Sequence, residues 1–329
     1  MDASFSRRKI LTPLRLRELA QRSDLRGAAQ ALSHFGAIAL TGWLLWSTWG
    51  TWAAVPVFIV HGVLINFLYA GQHELSHGTV FATKWVNEWL GRLIGFLMIF
   101  PRDFDQIQHF AHHQHTSDWE KDGELAREPY TLASYLLWVS GVTYWTTRIQ
   151  RVARFARGIV IEPYIRPDQH ARVIREGRWH LALYAALAAV SVAAGTWALV
   201  ILWIAPMFAM KWVHQLQNTI EHLGLEHSDD ILTNTRSTAT NAVMRWMCWQ
   251  MQYHTAHHMF PSVPFWKLKD LNADMEKGVG GPPHRMGYIA FQVEAIRKLA
   301  GARSEADYPM NEVWIVPRGG GRESRLPAV

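Results

Sequence analysis

Most of the histidines in this chain fall into four short groups whose spacing suits metal binding. The chain has 17 histidines in 329 residues. On a helix, residues three or four positions apart share a face, so the motifs HxxxH and HxxHH each direct two or more imidazoles the same way. The four groups are HELSH at 73–77, HFAHH at 109–113, NTIEH at 218–222 and HTAHH at 254–258.

The number of these imidazoles predicts two metal ions. The groups supply nine, which are His73, His77, His109, His112, His113, His222, His254, His257 and His258. One zinc ion is satisfied by four ligands, so nine fit two ions with four or five nitrogens each. Neutral imidazole suits iron, copper, zinc and nickel, whereas calcium and magnesium prefer oxygen ligands. The single cysteine, Cys248, excludes a disulfide framework, an iron–sulfur cluster and a cysteine-ligated zinc site.

Two long stretches without charged residues predict the elements that position the histidines. No Asp, Glu, Lys or Arg occurs in residues 27–73 or in residues 179–210. A membrane-spanning helix needs about 20 apolar residues, so each stretch is read as a helical hairpin. The turns are expected at residues 49–52 and 194–196, and the tryptophans near them suit the membrane interface. A redox metal pair at a membrane surface suggests oxygen activation on a lipid-like substrate.

The fold class predicted from these features is an all-α integral membrane protein. Its four transmembrane helices form two hairpins, and a cytosolic helical cap carries the histidine groups. Lysine and arginine are abundant at both ends and in the middle of the chain but absent from the hairpin turns, which predicts a multi-pass protein with cytosolic termini. The uncharged stretch 130–147 is read as interfacial or re-entrant, because a crossing there would separate the histidine groups.

The predicted organisation has three parts. Residues 1–35 form cytosolic amphipathic helices, residues 36–317 form the membrane domain, and residues 318–329 form a disordered tail. Within the membrane domain the spans are expected at about 36–52, 53–72, 180–195 and 197–222.

Read in order, the motifs resemble those of the membrane fatty acid desaturase and hydroxylase family. The resemblance runs from about residue 71 to residue 271 and includes Thr116 after the second group and Pro261 and Pro264 after the last. It implies a non-haem di-iron centre that uses dioxygen as co-substrate and is held by the nine histidines beneath a four-helix bundle. It also implies that Asn218 reaches a metal through water. No catalytic side chain beyond the metal ligands is implied.

Residues around the ligands are expected to orient the imidazoles by accepting their remaining N–H groups. The candidates close to the motifs in sequence are His115, His214, Glu74, Asp105, Asp118, Asp122 and Glu221. The acidic candidates have a second interpretation, because most acidic residues are simply solvated. His214 has a second interpretation as a core residue.

Two other kinds of function compete with the desaturase interpretation. The motif HELSH also reads as HExxH, the signature of zinc proteases, with Glu74 as the general base. This zinc intramembrane protease would leave most of the motif histidines without a role. A metal transporter is the non-enzymatic alternative, but transport favours polar ligands within the spans, where only His61 is expected.

The desaturase interpretation requires a lipid or acyl substrate and two electrons from outside the chain. Nothing in the sequence could carry these electrons, so a separate donor of the ferredoxin or cytochrome b type is expected on the cytosolic face. The basic run Arg148, Arg151, Arg154 and Arg157 would attract such an acidic protein or contact lipid headgroups. Nucleic acid is not needed to explain the charge. The resemblance favours desaturation of an acyl chain, with hydroxylation of a lipid or small apolar molecule as the alternative.

Overall fold

The computed structural model describes residues 10–225, 227–228, 230–278 and 285–307, and these are mostly helical. The α-helices are α1 Pro13–Leu19, α2 Asp24–Thr48, α3 Ala54–Ser76, α4 Lys84–Leu97, α5 Arg102–Gln114, α6 Leu132–Val139, α7 Val142–Ala156, α8 Pro167–Ala193, α9 Ala205–Ala209, α10 Lys211–Asn218, α11 Ile231–Asn234, α12 Ala242–Met247, α13 His254–Met259, α14 Leu268–Gly278 and α15 Tyr288–Ala300. A π-helix covers Val200–Ile204. The strands β1 Ser237–Thr238 and β2 Arg285–Met286 form a short parallel pair.

The first predicted hairpin consists of α2 and α3, which are long and apolar enough to cross a membrane. The Ser23 side chain caps α2 by accepting a hydrogen bond from the backbone N–H of Arg26. The turn lies between Thr48 and Ala54, as predicted, and Gly50 adopts a φ of 85° there. Because α2 is continuous from Asp24, the predicted boundary after residue 35 falls inside a helix.

The second predicted hairpin is irregular in its returning limb. Helix α8 ends at Ala193, and the predicted turn follows with Gly195 at a φ of 59°. The returning limb is divided into the π-helix, α9 and α10, with Pro206 near the start of α9. Only α2 and α3 qualify as candidate spans among the described residues. The arrangement with four spans therefore remains a prediction.

Helix α3 packs against elements of both hairpins and so occupies the centre of the fold. It contacts α2, α4, α5, α9 and α10. A Cβ atom on Gly62 would lie 2.4 Å from the carbonyl oxygen of Pro206, so glycine permits the close approach of α3 and α9. The Asn66 amide donates a 2.9 Å hydrogen bond to the backbone oxygen of Met207 and joins the same two helices. This packing fixes the end of α3, where the first histidine group begins.

The surface of the hairpins is rich in exposed tryptophan and aliphatic side chains. Exposed tryptophans occur along α2 and its turn and on the outer face of α4, where Trp85 and Trp89 are four residues apart. An apolar surface of this kind is typical of contact with lipid. The stretch 130–147 contributes α6 and the start of α7. The predicted tail 318–329 lies outside the described residues.

Candidate metal centre

The nine predicted histidines come together in two adjacent groups. We call His73, His77, His109, His113 and His257 the first group, and His112, His222, His254 and His258 the second group. Within each group the facing ring nitrogens all lie within 4.8 Å of one another. Each group could therefore hold one metal ion, which matches the count expected from the sequence.

Four helical ends carry these side chains to one place. The first motif ends α3, and the second lies in the last two turns of α5. The single His222 follows the 3₁₀ turn Thr219–Glu221 after α10, and the last motif forms α13. Helix α5 supplies both groups, because His109 and His113 are four residues apart on one face while His112 points to the other group.

The inner nitrogens, which are the ring nitrogens that face the other histidines of the same group, are spaced as ligands of a shared ion. The other nitrogen of each ring is called the outer nitrogen. The Nε2–Nε2 distances are 2.9 Å for His73–His257, 2.7 Å for His77–His109 and 3.0 Å for His109–His113. In the second group, His222 and His254 are 2.8 Å apart. Two ligands at about 2.1 Å from one ion are separated by about 3.0 Å when they subtend 90° and by about 3.4 Å at the tetrahedral angle, so the observed distances are closest to the 90° arrangement.

The outer nitrogens show which inner nitrogens carry lone pairs. Nδ1 of His222 lies 3.1 Å from the backbone oxygen of Asn234, which can only accept, so this Nδ1 carries the proton. The His222 Nε2 lone pair then faces Nε2 of His254 within the buried site. Nδ1 of His109 likewise lies 2.8 Å from Glu124, which leaves a lone pair on its Nε2. Each of these two lone pairs is directed at the other imidazole nitrogens of its group, which is the orientation that a metal ligand requires.

Four carboxylates face the outer nitrogens, two for each group. Glu124 and Glu74 face His109 and His257 of the first group, and Asp122 and Glu221 face His112 and His254 of the second. The N–O distances are 2.8 Å for His109–Glu124, 3.1 Å for His257–Glu74, 2.9 Å for His112–Asp122 and 3.7 Å for His254–Glu221. Glu124 and Asp122 are hydrogen-bonded to their imidazoles, so they orient these rings and increase the basicity of the inner nitrogens. Glu74 and Glu221 face their imidazoles without a hydrogen bond.

Burial favours the neutral form of most of these imidazoles. It lowers the pKa of His109 and His113 well below the ordinary value, and the neighbouring histidines lower it further. Burial also opposes charge on His112, but the carboxylates of Asp122 and Glu124 raise its pKa to about 9. A metal bound to the second group would therefore displace a proton from His112.

The remaining predicted residues lie outside the two groups. Asp118 accepts hydrogen bonds from the backbone N–H groups of Glu120 and Lys121 and so shapes a turn instead of facing an imidazole. Partly exposed His115 caps the end of α5. The Asn218 amide donates to Glu221 at 3.4 Å.

Two buried candidates near the groups also have other contacts. His214 accepts a hydrogen bond from Lys211, and Asp105 accepts one from Ser76. His214 therefore does not belong to either histidine group, and Asp105 is not one of the four carboxylates that face an outer nitrogen.

Glu124 is the ring-facing residue that sequence reasoning missed. It lies 15 positions after His109, and a loop returns it to α5. The loop is fixed by Asp122, whose carboxylate accepts hydrogen bonds from the backbone of Ser117, Glu124 and Leu125. The only signal in the sequence is that Glu124 follows the predicted Asp122 by two positions, so that one turn presents both carboxylates.

Most arginines of the predicted basic run form contacts with other residues of the protein. Arg151 and Arg154 both bond the carboxylate of Glu162, at 3.1 Å and 2.5 Å. The Arg148 guanidinium lies over the rings of Phe100 and Tyr144. Only Arg157 in this run remains exposed and without a bonded partner among the described residues, which weakens the run as a docking surface.

Comparison with known proteins identifies a family and several relatives. A profile described as fatty acid desaturase matches residues 48–291. The sn-1 oleoyl-lipid 12-desaturase of Picosynechococcus sp. is 18% identical over 78% of this chain and 76% of its own length. The enzyme of the same name from Anabaena variabilis is 21% identical over 82% and 81%. The sn-1 acyl-lipid omega-3 desaturase (ferredoxin) of Synechocystis sp. is 24% identical over 65% of each chain.

Proposed function

The chain belongs to the fatty acid desaturase family, and from this premise we propose that it introduces a double bond into the acyl chain of a lipid. Dioxygen is the co-substrate, and two electrons come from a separate protein. The observation that carries the proposal is the pair of adjacent, all-imidazole groups at the ends of the helices. Relatives named as acyl-lipid desaturases support this substrate class.

The proposed cofactor is a non-haem di-iron centre, with one iron in each histidine group. Nitrogen-only sites of this kind suit iron, and the close spacing of the groups supports a shared reaction. Asn218 lies four residues before His222, and we assign it a water-mediated contact with the second iron. Bound iron would supply the dioxygen chemistry that removes two hydrogens from an unactivated alkyl chain.

The protein's own residues prepare the site for this chemistry. Glu124 and Asp122 hold His109 and His112 by their outer nitrogens, so the inner nitrogens are directed inward. His73, His109 and His257 are each at most 6% exposed, whereas His77 and His113 are partly exposed, so the first group is buried on one side and open to access on the other. The buried side limits contact with bulk water and so reduces side reactions.

We further propose the complete membrane arrangement expected from the sequence. Residues 180–195 and 197–222 form a second pair of spans beside α2 and α3, and both termini are cytosolic. The exposed tryptophans along α2 and the junction of α3 with α9 support this arrangement. The electron donor, a ferredoxin or cytochrome b type protein, then docks on the cytosolic face.

The competing functions explain less of the site. In a zinc protease, Glu74 would face a water bound between His73 and His77, but its carboxylate instead lies against the outer nitrogen of His257. A transporter would not need nine imidazoles gathered into two closed groups. Hydroxylation uses the same ligands and remains the second outcome of the test.

Lipid profiling tests the proposed function directly. Cells that express the protein with a ferredoxin and its reductase are compared with cells that express the double variant His257→Ala, His258→Ala. We expect acyl chains that have lost two hydrogens only in the first cells. Products that have gained one oxygen would replace desaturation with hydroxylation, and unchanged lipids would contradict the proposed substrate.

A further inference from the structure

A cluster of buried polar side chains beside the first group has no role in the proposed function. It consists of Tyr144, Arg148, Lys211 and His214, and we call it the Lys211 cluster. Lys211 is 0% exposed, and its Nζ lies 3.0 Å from Nδ1 of His214 and 3.5 Å from the centre of the Tyr144 ring. The Arg148 guanidinium covers the other side of the cluster, 3.8 Å from the same ring centre.

The two cations of the cluster have no anionic partner among the described residues. Neither Lys211 nor Arg148 forms an ion pair within 4.0 Å. Asp105 and Glu124 interact with Arg148 only electrostatically and at longer range. An ionisable residue such as Lys211 that is buried in a membrane segment without an anionic partner is by default a sign of function. Lys211 lies within the proposed fourth span.

Hydrogen-bonding groups in and beside the cluster are also left without partners. Buried atoms with no partner among the described residues are the Tyr144 hydroxyl, Nε of Arg148, Nε2 of His214 and the indole nitrogen of Trp145. The guanidinium and indole nitrogens can only donate. Natural proteins satisfy nearly all buried polar groups, so this surplus of donors indicates that an acceptor binds there.

Tyr69 connects the Lys211 cluster to the first group. Its ring meets His214 edge-on with 5.1 Å between centres and lies 6.4 Å from the ring centre of His73. Its hydroxyl donates a 3.4 Å hydrogen bond to Glu124, which in turn holds His109. A ligand in the cluster is therefore separated from the first group by one side chain.

We propose that the Lys211 cluster binds the carboxylate of a free long-chain acid and so anchors the polar end of the substrate close to the metal centre. This inference rests on the proposed function and differs from it in naming a free acid, and not an ester-linked acyl chain, as the substrate. A carboxylate accepts strong hydrogen bonds from the amine, guanidinium and hydroxyl donors of the cluster, whereas an ester carbonyl is a weaker acceptor and carries no charge. Aromatic rings around the cluster, including those of Phe100 and Trp145, suit the first carbons of an alkyl chain.

Binding of oleate and methyl oleate to the purified full-length protein tests this inference. Both ligands are titrated calorimetrically in detergent without electron donor, so no turnover occurs. We expect oleate to bind at least about tenfold more tightly than its ester, because charge-assisted hydrogen bonds are lost with the ester. Lys211→Met should abolish this preference, and the control Lys84→Met, at an exposed lysine of α4, should retain it.

Tyr144→Phe gives a second variant that keeps the ring and removes only the unpartnered hydroxyl. It should weaken oleate binding about threefold and leave methyl oleate unchanged. This variant decides the question if Lys211→Met does not fold. Equal affinity for acid and ester in the unmodified protein, or an unchanged preference in a folded Lys211→Met protein, would overturn the inference.

The proposed function and the proposed carboxylate site can be refuted independently of each other. Lipid profiling that shows new double bonds, together with no preference for oleate, would remove only the carboxylate site. A Lys211-dependent preference for oleate, together with unchanged lipids in cells, would preserve the binding site and contradict desaturation.

Discussion

The histidines of the two groups differ in what holds their outer nitrogens, and this difference sets their individual importance. His109 and His112 are each paired with a carboxylate at a hydrogen-bonding distance, while His222 is fixed by a backbone oxygen. Backbone contacts survive substitution of the neighbouring side chains, whereas carboxylate contacts do not. The carboxylates are therefore the positions where single substitutions test the centre without removing a ligand.

Replacement of Glu124 by glutamine should weaken the first group. The amide keeps the size of the side chain but loses the charge that favours the Nδ1 proton of His109, and such changes cost about tenfold in metal affinity or activity. We expect faster loss of iron to a chelator and lower turnover. Glu120→Gln is the matched control, because Glu120 is exposed on the same loop. Identical iron loss in both variants would contradict the role of Glu124.

Replacement of Glu74 by glutamine separates the desaturase from the zinc protease. Glu74 faces His257 from outside the first group but forms no hydrogen bond with its Nδ1, and glutamine keeps the size and shape of the side chain. Turnover should therefore fall by no more than about tenfold to a hundredfold with iron retained. A protease would lose its general base and all activity. Complete inactivity of an iron-loaded Glu74→Gln protein would count against our assignment.

At the residue scale, the motifs predicted that the nine histidines would come together, as they do, but did not predict all the residues that face their outer nitrogens. A repeated HxxHH pattern fixes direction on a helix, so convergence of the motifs could be expected. The outer partners depend on how loops return, as the different positions of Asp118 and Glu124 illustrate. Asp118 is closer to the histidines in sequence, yet it caps a local turn.

At the element scale, α3 is the part on which the site depends most. It carries the first histidine motif and contacts α2, the other limb of the first hairpin, and the broken limb of the second. Its position relies on the absence of a side chain at Gly62 and on the amide of Asn66. Small residues at such contacts are the usual means of bringing membrane helices together.

Gly62→Ala should destabilise the protein, because the added methyl group meets the carbonyl oxygen of Pro206. Overpacking of this kind costs about 1–3 kcal/mol of unfolding free energy. Gly36→Ala in α2 is the control, because nothing lies within 4 Å of the added atom. There the higher helix propensity of alanine should leave stability unchanged or raise it by up to about 1 kcal/mol. Thermal unfolding in detergent compares the two, and equal midpoints would refute the close contact.

Topology reporters inserted after Gly50 and after Gly195 test the proposed membrane arrangement. Both turns follow helices of the predicted hairpins and have no lysine or arginine, so both should face the side opposite the termini. A periplasmic alkaline phosphatase should be active at both positions and inactive at the C-terminus. Activity at Gly50 alone would show that the second hairpin does not cross.

The positions of the two hairpin turns followed from local chemistry, whereas the form of the second returning limb did not. Apolar composition predicts burial in lipid but does not show where a helix is interrupted. The interruption arises where α9 meets α3 at Gly62, and that contact joins residues more than 140 positions apart. Tertiary packing of this kind leaves no periodic signal in a single sequence.

At the scale of the whole molecule, the apolar helices and the imidazole centre have different roles in the proposed enzyme. The hairpins present tryptophan and aliphatic side chains outward, while the helix ends gather nine ligands and four carboxylates inside. The structure places an apolar surface beside a largely buried histidine site, an arrangement that suits the proposed chemistry on an alkyl chain. The Lys211 cluster adds a place for the polar end of that chain.

The iron content of the purified protein tests the central claim most directly. Elemental analysis of protein from iron-supplied cells should give about two irons per chain, since each histidine group offers a complete set of ligands for one ion. His254→Ala, which removes a ligand from the second group only, should lower the ratio toward one. An active protein that contains one zinc per chain and no iron would contradict the account.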